Sequence, residues 1–253
     1  MHLINTRTLL LHEFFGDKIP LYAILSHTWG DQEVSYQEWI YVHNQNVARW
    51  GWVRIESEVK ATREKAGYVK IAHACKLARG LGHQWIWFDT NCIDKTSSAE
   101  LSEAINSMYA WYRDSAVCLV YLADVSIAGS SHRSNTLQDL LAPIGLLFFS
   151  QHWSPLGNAH SLNPLLAEIT AIDPTSDRIN WLSRRGRLMA QVSIAARLSW
   201  ASRRETTRFE DRAYCLLGFF GVNMPLLYGE GENAFARLQE EIIKRNPDST
   251  IFV

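Results

Sequence analysis

Apolar and polar positions along this chain fall into short strand-like runs that alternate with helical stripes. Residues 22–31, YAILSHTWGD, are a brief apolar run that stops at Ser26, His27, Thr28 and Trp29 and turns at Gly30. This reads as a buried strand that delivers a hydroxyl, an imidazole and an indole to its carboxyl end, where open α/β sheets place their sites. Residues 32–63 mix Trp39, Trp50 and Trp52 with charged positions and hold no sustained period, which predicts an excursion carrying a short hairpin or helix. Helical spacing returns over residues 68–81, where Ile71, Ala74, Cys75, Ala78 and Leu81 share a face and Gly80 and Gly82 supply a stop. A second strand follows over residues 85–90, WIWFDT, again with polar residues, Asp89 and Thr90, at the end of an apolar run. Ser97 and Glu100 then form a capping box ahead of a helix whose stripe is Leu101, Ile105, Met108, Tyr109 and Tyr112, ending near Asp114. Residues 117–122 make a third strand, with Asp124 just beyond.

Strand, helix, strand, helix, strand with short connections implies βαβ units and a mostly parallel sheet, hence an α/β fold. Residues 128–134, AGSSHRS, are the clearest flexible segment; residues 136–141 predict a short helix before Pro143, and residues 146–149 a fourth strand. Beyond Trp153, prolines punctuate short pieces and helical patterns take over. One covers residues 188–200. Thr207 with Glu210 makes a second capping box, opening a helix through Tyr214 and Leu217 that stops at Gly221. The last helix, residues 232–245, sets Phe235, Leu238 and Ile242 on one face and pairs Glu240 with Lys244 and Glu241 with Arg245. The expected layout is one domain over residues 1–253, with an α/β half (1–150) and a mainly helical half (151–253) packed on it.

Composition narrows the function classes. With 47% hydrophobic and 20% charged residues the chain can bury a sizeable core. Lys and Arg number 25 against 26 Asp and Glu, so there is no general attraction to nucleic acid, and none is expected as a partner. The longest apolar stretch, residues 140–149, contains Pro143 and is about half of the ~20 residues that a membrane span needs. No basic region precedes the apolar N-terminal residues and no cleavage site follows them; no signal peptide is read, and the expected compartment is the cytoplasm. Four separated cysteines, Cys75, Cys92, Cys118 and Cys215, read as buried thiols, not as a disulfide framework or a zinc site.

Four blocks carry a family resemblance: residues 22–30 (YAILSHTWG), 67–125, 136–143 (TLQDLLAP) and 199–242, the last containing SWASRRETTRFEDRAYCLLGFFG. In this order they resemble the fungal heterokaryon incompatibility (HET) domain over nearly the whole chain. The resemblance implies a cytosolic domain of non-self recognition and programmed cell death, often fused to other modules. This chain ends just after the last block and reads as a stand-alone short member or an excised domain. HET domains are also remotely similar to the Toll/interleukin-1 receptor (TIR) domain, a flavodoxin-like α/β fold in which some members cleave NAD at the nicotinamide bond. That implies NAD or a related nucleotide as ligand. The chain departs from the family at Asn135 in place of tryptophan, Asn91 in place of cysteine, and Asp139 in place of glutamate; if that glutamate matches the TIR catalytic one, Asp139 keeps the carboxylate on a stem one methylene shorter.

The candidate catalytic residues are His27, Asp89 and Asp139. His27 could serve as general acid or base near neutral pH, and Asp89 could hold a ribose, a metal or an arginine. Candidate ligand-binding residues are Ser26, Trp29, Glu103, which lies off the stripe of its helix, and Arg208, which could hold a phosphate or carboxylate. Asp94 is expected in a turn or cap before Ser97. No metal site is predicted, since two aspartates five apart are not a cluster of oxygen ligands. The run YGEGENAF lacks the spacing of a phosphate loop and reads as a tight turn into the last helix. Three functional readings follow: a signalling domain with a nucleotide pocket, a non-catalytic module that self-associates or docks to a HET-type partner, and a HET-like enzyme adapted to a biosynthetic pathway.

Overall fold

The computed structural model describes residues 1–43, 55–126, 137–170, 192–202, 206, 208–246 and 248–252. Trp50, Trp52, the 128–134 segment, Asn135, Thr207 and the start of the 188–200 pattern lie outside them. The chain divides into two compact units, the first comprising Met1–Leu101, Ser115–Gly129 and Leu147–Leu156, the second Ser102–Asp114, Ser130–Leu146 and Gly157–Val253.

The first unit is built on a seven-stranded sheet. Its strands are β1 (His2–Asn5), β2 (Leu11–Glu13), β3 (Ala23–His27), β4 (Trp85–Trp87), β5 (Val117–Tyr121), β6 (Leu146–Phe149) and β7 (Pro155–Asn158), in the order β2-β1-β4-β3-β5-β6-β7. The three expected strands form its centre: β3 pairs in parallel with β4 (Ile24 beside Trp87) and with β5 (Ser26 beside Val120, His27 beside Tyr121). All five residues of β3 are buried, as a strand with neighbours on both sides and covered faces must be. The N-terminal hairpin, in which β1 runs antiparallel to both β2 and β4, was not anticipated; its seven residues are too few and too mixed to show a period.

The excursion between β3 and β4 is helical: α1 (Tyr36–His43) and α2 (Glu56–Glu64) precede α3 (Ala66–Gly80). Ile71, Ala74, Cys75 and Ala78 form the buried face of α3 as expected, but Leu81 is 45% exposed because the helix ends one residue before it. After β4, helix α4 (Ser98–Asp114) is capped by Ser97, whose side chain accepts from the Glu100 amide. The box is only half formed. Glu100 does not return to Ser97; its Oε1 accepts from the Asp94 amide at 3.0 Å.

In the second unit, α5 (Leu137–Leu141), α6 (Asn163–Thr170), α7 (Ile194–Ala201), α8 (Asp211–Tyr214), α9 (Leu217–Phe220) and α10 (Asn233–Arg245) are followed by a 3-10 turn over Ser249–Phe252. Leu217, Val222, Ala234, Leu238 and Ile242 lie at its core. A Cβ on Gly218 would stand 2.0 Å from the Cβ of Tyr109, so this close crossing admits no side chain there. The helix expected to run from the Thr207–Glu210 box through Leu217 is two short pieces, α8 and α9; the box itself lies partly outside the described residues, and the Glu210 carboxylate crosses to the amides of Gly229 (2.7 Å) and Gly231 (3.0 Å). On α10, Lys244 bonds Glu241 at i,i+3 and Arg245 donates to the Gly221 carbonyl, in place of the expected i,i+4 pairs.

None of the four cysteines is joined in a disulfide, and Cys75, Cys92 and Cys118 are buried. Among the described residues no helix is long and apolar enough to cross a membrane.

Candidate functional site

The chain leaves β3, returns on one side as β4, then crosses to the other side as β5, so strand order reverses at β3. Ligands of open α/β sheets sit beyond the carboxyl ends of strands at such a point. His27 is the last residue of β3, and Asp89 follows β4 by two residues. The His27 side chain is 0% exposed. Its Nε2 stands 3.8 Å from Asp89 Oδ1 and 3.9 Å from Glu33 Oε2, too far for hydrogen bonds. Both ring nitrogens and these two carboxylate oxygens are buried and have no hydrogen-bond partner among the described residues.

The other oxygen of each carboxylate is held. Asp89 Oδ2 accepts from the indole N–H of Trp29 at 2.7 Å. Glu33 Oε1 accepts from the Gly30 amide at 2.8 Å and from Lys70 Nζ on α3 at 2.5 Å. Trp29 is 54% exposed, and the Lys95 ammonium lies 3.5 Å from its ring centroid. The loop that carries Glu33 is clamped to α3: the Gly67 amide donates to the Gln32 carbonyl at 3.0 Å, an approach so close that a Cβ at Gly67 would stand 2.6 Å from that oxygen. The loop after β4 is equally constrained. Asp94 Oδ1 accepts from the amide and hydroxyl of Thr96 and from Gln37, the turn role expected of it.

Electrostatics follow from this enclosure. Burial pushes the His27 imidazole below its ordinary value, with Lys70 and Lys95 acting in the same direction and Asp89 and Glu33 opposing. Burial works to raise Glu33, but the bonds from Lys70 and Gly30 outweigh it and hold the carboxyl below the usual range. Burial also lowers the Lys95 ammonium, against the pull of Asp89 and Glu33. The result is an imidazole pushed toward its neutral form beside a Glu33 carboxyl held toward its ionised form. Cys92 does not supply a nucleophile, because burial raises its thiol. Among the described residues no set of three His, Cys, Asp or Glu side chains is placed to hold a metal ion.

Of the residues singled out from sequence, the structure brings His27, Asp89 and Trp29 together. Ser26 is fully buried on β3, and side chains alternate along a strand, so it faces the other side of the sheet from His27. Asp139, buried on α5, Glu103, exposed on α4, and Arg208, exposed with its guanidinium 4.8 Å from the Tyr228 ring, belong to the second unit. Sequence reasoning missed Glu33, Lys70 and Lys95. The only hint for Glu33 was its place in the loop that leaves β3; Lys70 reads as an ordinary surface lysine until α3 is docked.

A strand that ends in SHTWG, with its histidine in this setting, lies inside the segment, residues 22–143, that matches the family described as "Heterokaryon incompatibility protein (HET)". The chain is also 39% identical over 249 residues to the vegetative incompatibility protein HET-E-1 of Podospora anserina, an alignment covering 90% of this chain and 16% of that protein. The chain belongs to the HET family. It spans about one sixth of the length of the curated relative it matches. No solved structure matches the chain. In this HET chain the family match covers β3, β4, β5 and α5, and so includes every residue of the His27 cluster.

Proposed function

We propose that this chain acts as the HET module of a fungal non-self recognition and cell-death response in the cytoplasm, and that its α/β unit binds a nucleotide-type small molecule, as the remote TIR resemblance suggests. The observation that carries the ligand-binding part is the convergence of three buried polar atoms without a hydrogen-bond partner among the described residues, His27 Nε2, Glu33 Oε2 and Asp89 Oδ1, at the point where strand order reverses. Buried polar atoms are costly when unpaired, about 1–3 kcal/mol each, and such costs persist where function needs them. The incompatibility role rests on the family and on the likeness to HET-E-1, a vegetative incompatibility protein.

The experiment is a calorimetric titration of the chain with NAD, ADP-ribose and ADP, alongside expression in a filamentous fungus of the wild type and of His27→Ala. Saturable nucleotide binding, and growth arrest by the wild type but not the variant, are the expected results. Absence of binding by any nucleotide removes the pocket reading, and equal growth arrest by both chains separates the cell-death role from this cluster. Release of nicotinamide from NAD, by the wild type or by Asp139→Glu, tests whether binding extends to cleavage.

A further inference from the structure

We infer that the group received by the His27 cluster is the vicinal diol of a ribose, with an adjacent phosphate taken by Lys95. This rests on the nucleotide reading above and goes further by assigning the ligand's chemistry.

Glu33 and Asp89 are each fixed through one oxygen, by Lys70 and Gly30 in one case and by Trp29 in the other. Their remaining oxygens lie 3.9 and 3.8 Å from His27 Nε2 and have no hydrogen-bond partner among the described residues. Carboxylate oxygens accept, so whatever satisfies them must donate. An anion is excluded from that position by repulsion. A cationic ligand is disfavoured because Lys70 and Lys95 already act electrostatically on this cluster. Neutral donors remain, and two acceptors that each stand within 4 Å of the same ring nitrogen suit two hydroxyls on adjacent carbons, with the imidazole available to either.

The phosphate assignment stands on Lys95. Its ammonium lies over the Trp29 ring and, among the described residues, has no carboxylate within ion-pair distance. A cation that stands over an aromatic face with no carboxylate within ion-pair distance is retained weakly, by about 0.5–1 kcal/mol from the ring. A phosphate offers a stronger, charge-assisted partner. Movement of Lys95 to it would also bare the exposed indole, a flat surface on which a base can stack.

The test is a set of titrations of the full chain with ADP, 2′,3′-dideoxy-ADP, adenosine and ribose 5-phosphate. ADP is expected to bind at least about tenfold more tightly than dideoxy-ADP, since each lost hydroxyl removes a hydrogen bond to a charged acceptor. Asp89→Asn should weaken ADP but leave dideoxy-ADP unchanged, and Lys95→Gln should weaken ADP but not adenosine. If dideoxy-ADP binds as tightly as ADP, the diol assignment is wrong while the nucleotide site stands. If ribose 5-phosphate binds and the nucleotides do not, the nucleotide reading fails while the diol assignment survives. Equal losses of ADP and adenosine in Lys95→Gln overturn the phosphate assignment. The ligand series on wild-type protein decides the diol assignment even if a variant fails to fold.

Discussion

The indole N–H of Trp29 donates to the carboxylate of Asp89 at 2.7 Å, joining the loop after β3 to the loop after β4 across sixty residues of sequence. This one bond fixes an oxygen of Asp89 and turns the other toward His27. Trp29→Phe keeps the aromatic face under Lys95 and removes the donor. It should cost about 1 kcal/mol in wild-type protein and much less in an Asp89→Asn background. Urea unfolding of the two single variants and the double variant measures the coupling, and strictly additive losses would show that the bond contributes nothing.

Gly67 is where α3 meets the backbone of Gln32 and Glu33. Gly67→Ala places a Cβ 2.6 Å from a carbonyl oxygen and 2.8 Å from the Glu33 Cα, both backbone atoms with little freedom to retreat. The expected loss is about 1–3 kcal/mol. Gly80→Ala is the control: it lies in the same helix with nothing within 4 Å of its Cβ position, so it should be neutral or stabilising by up to about 1 kcal/mol. Chemical denaturation of both variants checks the contrast, and a harmless Gly67→Ala would mean that the loop is not clamped.

His27 gives the fold a pH dependence of definite sign. Its folded value is lowered from the ordinary 6.5, so below that value the unfolded chain binds a proton that the folded one refuses. Stability is therefore full above about pH 6.5 and falls as pH drops below it, by at most about 1.4 kcal/mol per pH unit from this group. Glu33, whose carboxyl is lowered, acts in a separate and more acidic window, below the ordinary 4.5. Thermal unfolding of the wild type and His27→Gln between pH 7.5 and 5.5 should show the steeper decline in the wild type. Parallel curves would place His27 in water.

Glu210 and the glycine turn make a prediction in the second unit. The amides of Gly229 and Gly231 both donate to one carboxylate oxygen, and after Glu210's own amide, the largest cause, these backbone bonds hold Glu210 below the usual carboxylate range. The stabilisation is present above the unfolded carboxyl value and is lost as pH falls through the folded one. Removing the acceptor with Glu210→Ala should speed amide exchange at Gly229 and Gly231 by about tenfold or more, with little change along α10. Unaltered exchange at the two glycines would show that the turn holds itself.

Much of this protein follows from its sequence alone. The apolar runs of β3, β4, β5 and β6, the buried face of α3, the Ser97 cap of α4 and the stripe of α10 were legible because each is a local pattern: a period, a cap residue or a breaker within a few positions. The placing of His27 and Asp89 at the carboxyl edge of the sheet was legible for the same reason. The resemblance to HET proteins lay in long ordered blocks and held on comparison. Tertiary structure decided the rest, because it concerns residues that meet only when distant segments pack. Glu33 joins the cluster through Lys70 on α3; Asp89 is aimed by Trp29; Glu210 leaves its own helix for a turn some twenty residues on. Alternation along β3 then turns Ser26 away from the His27 whose neighbour it is in sequence. Local patterns place a residue at a strand end, but only packing across the sheet decides which side chains share a face and which polar atoms are left without a partner.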